Sequence, residues 1–179
     1  MAFNPEDRTN NVIGDVVTNR QPVMKGFFGS DVHTLANAIM KFENSAEDYE
    51  KLINNQHTQW NNPGNLIYKE GIAGTYKRKD QKVTDLRVRG ANPRPDGKYN
   101  YYMKFNSPQE GYDALVKQLE RYASGKNTVD KNSPSWTIDD FIERYAPTGQ
   151  DNTKEQTDNY KKHIKRIIMA EIDKHGSNI

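Results

Sequence analysis

The sequence predicts an α+β domain that is mainly helical, with a small β-hairpin region beside a helical lobe. Four stretches repeat apolar residues at three- and four-residue spacing, and a short aromatic-rich stretch lies between the first two of them. A chain of 179 residues fits one domain and leaves length for a terminal arm. We therefore assign residues 1–29 to an arm or docking segment and residues 30–179 to one folded domain.

The first helix is predicted over the stretch SDVHTLANAIMKFEN, which begins at Ser30. Ser30 or Asp31 can cap its first turn, because their side-chain oxygens accept hydrogen bonds from free backbone N–H groups. The helix is expected to end near Glu43 and Asn44. Its apolar residues recur at the spacing of one buried helix face, namely Val32, Leu35, Ala36, Ile39 and Met40.

The β-region is predicted between the first two helices. Residues 54–64, NNQHTQWNNPG, are dense in turn formers and lead into a short apolar stretch that is typical of a small hairpin. Residues 99–105, YNYYMKF, are aromatic-rich and predict a strand.

Three further helices follow. The second has the capping box SPQE at residues 107–110, with proline at the first helical position, and Gly125 suits its C-terminal cap. The third is predicted to begin at Thr137 and to stop before Pro147. The last helix is predicted over about residues 154–174.

The composition excludes several classes of protein. The chain has no cysteine, which excludes disulfides and cysteine-based zinc sites, and its four histidines lack the H-E-x-x-H spacing. We therefore expect neither a metal nor a cofactor. The hydrophobic fraction of 34% predicts a small and partly aromatic core.

No stretch is apolar enough to predict a membrane span, and we expect no signal peptide.

Positive charge is concentrated between residues 77 and 98, although the formal net charge is only +2. A solvated loop is the favoured interpretation of this stretch, with a specific anion site as the alternative. Its proximity to Tyr99, Tyr101 and Tyr102 also raises a nucleic-acid hypothesis, since basic grooves with aromatic residues bind single strands. The small net charge argues against nucleic acid as a partner.

Glu43 is the candidate catalytic residue because it lies at the carboxyl end of an apolar helix. Burial and the negative end of the helix dipole both disfavour a charged carboxylate there. Such a carboxyl group can keep its proton and donate it to a glycosidic oxygen. Taken alone, a glutamate at a helix end is more often a solvated charge.

Five stretches then point to a family. AIMKFENS and WNNPGNLIY are followed by YMKFNSPQEGYDALVKQLERYA, WTIDDFIERYAP and NTKEQTDNYKKHI. Over about residues 32–170 this order resembles phage and bacterial cell-wall hydrolases of the lysozyme-like superfamily, on a divergent branch related to lytic transglycosylases. The resemblance implies a lysozyme-like catalytic domain over residues 30–179.

The resemblance also implies roles for single residues. Glu43 matches the catalytic acid, and Tyr160 matches a tyrosine that lies beside the active centre in lytic transglycosylases, although it is equally suited to the core. Asn44 stands where those enzymes usually have serine, and no Gly-Leu-Met-Gln stretch follows. The predicted substrate-binding residues lie around the Asn-Pro-Gly-Asn turn, where amides and aromatic rings can contact a sugar: Trp60, Asn62, Asn65 and Tyr68.

The expected substrate is the glycan strand of peptidoglycan, cleaved between N-acetylmuramic acid and N-acetylglucosamine. Hydrolysis normally needs a second carboxylate, and the candidates Glu70, Asp80 and Asp85 lie in no motif for that role. We therefore favour lytic transglycosylation. The alternative is a non-catalytic structural or binding component of a phage virion or secretion apparatus.

The expected context is a phage virion, in which residues 1–29 would dock on other virion proteins. Without a signal peptide, the protein would be virion-associated, or made in the host cytoplasm to act on the cell wall in the periplasm. A membrane lesion or a dedicated secretion machine would be the other routes to the wall.

Overall fold

The computed structural model describes residues 22–44, 61–69, 86–89, 92–126, 129–149 and 152–175. Within these residues the chain is α+β and mainly helical, as predicted. Short 3-10 turns at Met24–Phe27, Gly29–Asp31 and Ser133–Ser135 accompany the regular elements. In chain order the regular elements are α1 (Val32–Asn44), β1 (Ile67–Lys69), β2 (Arg87–Arg89), β3 (Asn100–Tyr102), α2 (Pro108–Ser124), α3 (Ile138–Tyr145) and α4 (Lys154–His175).

The helix ends follow the local chemistry of the sequence. Ser107 accepts a hydrogen bond from the Glu110 backbone N–H at 3.1 Å and caps α2. Gly125 closes the same helix at φ 73°, a conformation that glycine adopts without strain. Thr137 and Asp140 form the reciprocal capping box of α3. The predicted bounds of these helices are confirmed because each depends on residues within one turn.

One hydrophobic core joins the four helices. The apolar face of α1 packs against α2 and α4, and α3 packs against α4. The predicted stripe on α1 is buried along its whole length. The largest fully buried side chains are Phe27, Phe105, Phe141, Met24, Leu35, Ile39, Met103, Leu115, Leu119, Ile138 and Ile142.

The segment just before α1 belongs to this core. Met24 and Phe27 are both 0% exposed, and the Met24 N–H donates to the backbone oxygen of Trp136 at 2.8 Å. Residues 1–29 are predicted to form an arm, yet Met24 and Phe27 belong to the core of the helical domain. The proposed arm therefore rests on residues 1–21, which lie outside the described residues.

The β-region is a three-stranded antiparallel sheet in the order β1-β3-β2. The strand predicted over residues 99–105 is β3, which is shorter than expected and lies at the centre of the sheet. Tyr101 pairs with Tyr68 on one side and with Val88 on the other. Asn100 likewise pairs with Lys69 and Arg89, so these two rows of side chains point to opposite faces.

A tight turn at residues 61–65, called here the 61–65 turn, connects the sheet to the helices. Asn61 and Asn65 both have positive φ, 53° and 50°, which asparagine tolerates better than most residues. The turn lies directly on α2, where Gly111 leaves room for the backbone of Asn61 and where Leu115 contacts Gly64. Close packing on α2 therefore fixes the position of the turn.

Within the described residues, no helix combines the length and apolar character needed to span a membrane.

Candidate active site

Glu43 lies in the last turn of α1, and two side chains from distant parts of the chain donate hydrogen bonds to its carboxyl group. The Tyr160 hydroxyl donates to Oε1 at 2.8 Å. The Asn65 amide nitrogen donates to Oε2 at 2.6 Å. Both oxygens of a half-buried carboxyl are thus held in fixed positions.

Tyr160 reaches Glu43 from α4 and is 4% exposed. Its ring packs on Phe42, the residue before Glu43, with ring centroids 3.9 Å apart. Tyr145 meets the Tyr160 ring edge-to-face, with ring centroids 6.4 Å apart. Tyr160 therefore contributes both to the aromatic core and to the site, which are the two roles considered for it from the sequence. Its predicted part in catalysis remains a prediction.

Asn65 is the last residue of the 61–65 turn. Its backbone N–H donates to the Asn62 oxygen at 3.1 Å, and its positive φ directs the chain so that the side chain meets Glu43. Asn65 is half-buried, whereas Tyr160 is buried, so the two donors to Glu43 differ in their exposure to solvent.

Asn62 has a scaffolding role in the structure. It is 2% exposed, and its amide nitrogen donates to the backbone oxygens of Leu66 and Met103, both at 3.0 Å. Its side-chain oxygen accepts from the Leu66 N–H at 2.9 Å. These bonds tie the 61–65 turn to both neighbouring segments. The prediction that Asn62 binds substrate gains no support from them.

Tyr145 supports the same turn from α3, a role that the sequence did not suggest. Its hydroxyl donates to the backbone oxygen of Gly64, the neighbour of Asn65. The half-buried Tyr145 ring also packs on Phe141, with ring centroids 5.4 Å apart. Tyr145 thereby positions the turn that carries Asn65 to Glu43.

The surroundings of Glu43 favour its protonated form. Desolvation by burial raises the pKa of its carboxyl group above the ordinary 4.5. The hydrogen bonds from Tyr160 and Asn65 and the positive charge of Arg89 act in the opposite direction without cancelling this rise. A general acid needs a pKa near the working pH, and burial shifts Glu43 toward it.

This raised pKa predicts how stability depends on pH. A carboxyl whose pKa is higher in the folded than in the unfolded state stabilises most at low pH, and the contribution is lost as pH rises through the folded pKa. Glu43→Gln removes this titration, so its unfolding free energy relative to wild type should be more favourable at about pH 8 than at about pH 4. Chemical denaturation at both pH values measures the difference. A difference that is independent of pH, or larger in acid, would contradict the prediction.

Arg89 is the sheet residue whose charge affects Glu43. It lies in the row with Lys69 and Asn100, and Arg94 donates to the Asn100 side-chain oxygen at 3.0 Å. The sequence indicated only a charged stretch, interpreted as a solvated loop. The alternation of basic and apolar residues in Arg87-Val88-Arg89 could have identified a strand with one basic face.

Tyr68 and Trp60 are the remaining residues that the sequence predicts to bind substrate. Tyr68 stacks on Tyr101, with ring centroids 6.4 Å apart, on the sheet face opposite Arg89. Its role in binding substrate stays a prediction. Trp60 lies outside the described residues, as do the candidate second carboxylates Glu70, Asp80 and Asp85.

Metal ligands are not clustered in the part of the chain that the structure describes, where no group of three or more His, Asp or Glu side chains could hold an ion.

Replacing Tyr160 by phenylalanine should move the pH profile. The Tyr160 hydrogen bond lowers the Glu43 pKa, so Tyr160→Phe should raise that pKa further. If Glu43 acts as an acid, the alkaline limb of kcat/KM then shifts to higher pH, and activity falls by about tenfold, the effect of one hydrogen bond to a charged group. Tyr112→Phe is the matched control and should leave the limb in place, because its hydroxyl donates to the Asn37 side-chain oxygen and not to Glu43. An alkaline limb that stays in place in Tyr160→Phe would rule out this coupling.

Comparison with known proteins identifies no family for this chain. No protein-family model matches it, and no curated protein or solved structure matches it either. The resemblance to lysozyme-like enzymes therefore stays a prediction from the sequence.

Proposed function

We propose that this protein cleaves the glycan strands of peptidoglycan, with Glu43 as its general acid and base. The single observation that carries the proposal is a half-buried carboxyl at a helix end, held by Tyr160 on one oxygen and by Asn65 on the other. Burial keeps such a group protonated at higher pH than a solvated glutamate. Fixed donors hold it in one orientation, as proton transfer requires.

The proposed fold is lysozyme-like. Three features support this proposal: a carboxyl at the end of an apolar helix, a turn with the sequence NPGN beside it, and a small antiparallel sheet next to a helical lobe. Both parts of the domain act on Glu43, since Tyr160 on α4 donates a hydrogen bond to it and the charge of Arg89 on β2 lowers its pKa. A glycan strand bound at this carboxyl would present its linking oxygen to Glu43.

The proposed reaction begins with proton transfer from Glu43 to the glycosidic oxygen. The bond from C1 of N-acetylmuramic acid to that oxygen breaks, and the N-acetylglucosamine side leaves with the proton as a hydroxyl group. The Glu43 carboxylate then takes a proton from the C6 hydroxyl of the muramyl unit. The C6 oxygen bonds to C1, which gives a 1,6-anhydro end and restores the protonated Glu43.

We favour this transglycosylation over hydrolysis. Hydrolysis uses a second carboxylate, as nucleophile or as base for water. The candidates for this carboxylate, Glu70, Asp80 and Asp85, lie outside the described residues, and the sequence places none of them in a motif for that role. The anhydro route needs Glu43 alone, because one group serves as acid and then as base.

We also propose that the protein acts from a virion, with its N-terminal segment docked on other virion proteins. Since Met24 and Phe27 are buried in the core of the domain, docking would be carried out by residues before them.

Digestion of purified peptidoglycan tests the proposal. Soluble muropeptides released by the wild-type protein are identified by mass spectrometry. We expect 1,6-anhydro ends, which are lighter by one water than reducing ends. Reducing ends would instead show hydrolysis and contradict the anhydro route. No release under any condition of pH and salt would overturn the enzymatic function and favour the alternative of a non-catalytic binding component.

A further inference from the structure

Tyr145, the last residue of α3, contacts the segments that carry both hydrogen-bond donors of Glu43. Its hydroxyl donates to the backbone oxygen of Gly64, the residue before Asn65. Its ring meets the Tyr160 ring edge-to-face, with ring centroids 6.4 Å apart. Asn65 and Tyr160 donate to different oxygens of the Glu43 carboxyl. One side chain therefore joins two supports that come from distant parts of the chain.

The end of α3 is itself tied to α4. The Thr157 hydroxyl, in α4, donates to the backbone oxygen of Ala146 at 3.1 Å, and Thr157 is 1% exposed. Ala146 directly follows Tyr145, and Thr157 lies about one helical turn before Tyr160. The Tyr145 ring also packs on Phe141, which is fully buried. Tyr145 is therefore held both by the core and by the helix that carries Tyr160.

The hydrogen bond between Tyr145 and Gly64 transmits movement between the two donors. The bonds of Asn62 and the packing on α2 hold the 61–65 turn to its neighbouring segments and to α2. The Tyr145 bond holds the same turn to α3 and, through α3, to α4. Breaking a hydrogen bond to a partly buried group leaves a polar atom without a partner, which is unfavourable. A shift of the turn away from Tyr145 is therefore resisted, and a shift of α3 acts on the turn.

We propose that Tyr145 is a positioning residue that couples the two hydrogen bonds to Glu43, so that Asn65 and Tyr160 hold the carboxyl as one unit. This inference rests on the proposed function and deepens it, because it concerns how the proposed acid is held. A tyrosine hydroxyl has one proton, and that of Tyr145 is donated to Gly64, so Tyr145 acts on Glu43 through the donors. Residues in one contact network are energetically coupled, and the effects of their substitutions are not additive.

The coupling would matter in both steps of the proposed reaction. Glu43 is protonated when it donates to the glycosidic oxygen and charged when it takes a proton from the C6 hydroxyl. A carboxylate accepts hydrogen bonds on both oxygens, whereas a protonated carboxyl also donates from one of them. The donors must therefore adapt to a change at one oxygen without releasing the other. Linking them through Tyr145 keeps the carboxyl in one orientation while its charge changes.

The Glu43 pKa measures this coupling without any substrate. NMR titration of isotope-labelled glutamate carboxyl groups gives this pKa in wild type, in Tyr145→Phe and in the control Tyr112→Phe. Tyr145→Phe keeps the ring but frees the turn, so the Asn65 bond, which lowers the Glu43 pKa, should weaken and the pKa should rise. Tyr112→Phe removes a hydroxyl that donates to Asn37 and should leave the pKa unchanged. In a cleavage assay Tyr145→Phe should lower kcat by about tenfold at unchanged KM, the effect of one hydrogen bond to a charged group.

A mutant cycle tests whether Tyr145 is the link between the donors. Asn65→Gly removes one donor and keeps a positive φ, which glycine adopts without strain. Tyr160→Phe removes the other donor. Because both donors bind one carboxyl, their effects on the Glu43 pKa are expected to be non-additive in the wild-type background. This non-additivity should become smaller in the Tyr145→Phe background, where the turn is no longer bonded to α3.

The outcomes separate the coupling from the proposed function. An unchanged Glu43 pKa in Tyr145→Phe, or an equal rise in Tyr112→Phe, would overturn the coupling even if the wild-type protein cleaves peptidoglycan. The same non-additivity in both backgrounds would also overturn it. If the wild-type protein releases no muropeptides, the proposed function is wrong, while a raised pKa in Tyr145→Phe would still support the coupling. Should Tyr145→Phe fail to fold, Thr157→Val removes the bond between α4 and the end of α3 and should raise the same pKa through Tyr160.

Discussion

Glu43→Gln is expected to lower the rate of peptidoglycan cleavage by about 10²- to 10⁴-fold, the usual contribution of a general acid or base. Glutamine keeps the shape of the side chain and can still accept a hydrogen bond from Tyr160 or Asn65. It cannot donate the proton that the leaving oxygen needs or take one from the C6 hydroxyl. Initial rates of muropeptide release from purified peptidoglycan measure the loss.

The matched control is Glu155→Gln, the same substitution at an exposed position of α4. This variant should retain the wild-type rate. Circular dichroism of both variants would show that the helices are intact. Full activity of Glu43→Gln would show that Glu43 is not the catalytic acid. The proposed function, which depends on that carboxyl, would then be wrong.

Gly111→Ala is expected to destabilise the protein by about 1 to 3 kcal/mol, the usual cost of overpacking. A Cβ at this position would overlap the backbone oxygen of Asn61 and lie 2.9 Å from Cδ of Pro63. The 61–65 turn would have to move away from α2, and Asn65 would move with it from Glu43. Activity should therefore fall together with stability.

The direction of the stability change distinguishes a close contact at Gly111 from ordinary helix propensity. In an ordinary helix interior, alanine is more favourable than glycine by about 1 kcal/mol. Chemical denaturation of Gly111→Ala and of Lys117→Ala, an exposed position on the same helix, measures both effects. The control should stay within about 0.5 kcal/mol of wild type. A Gly111→Ala protein more stable than wild type would show that the turn does not depend on close contact with α2.

The sequence alone determined the helices and the position of the candidate acid. The capping boxes at Ser107 and Thr137 and the glycine at Gly125 act within a single turn, so they can be identified without knowledge of the fold. The apolar stripe of α1 likewise identified its buried face, and its length placed Glu43 in the last turn. The same local reasoning does not extend to β3, whose extent depends on its partner strands.

Tertiary packing decided which side chains meet at Glu43. Tyr160 is 117 residues away along the chain, and its hydroxyl reaches Oε1 only because α1 packs against α4. The packing of the 61–65 turn on α2 directs Asn65 to the carboxyl and turns Asn62 inward. The sequence alone cannot tell these two roles apart, because both asparagines lie in the same turn. The register of the sheet brings Lys69 and Arg89 to one face. Contacts between distant residues depend on how whole elements pack, and no local pattern encodes that packing.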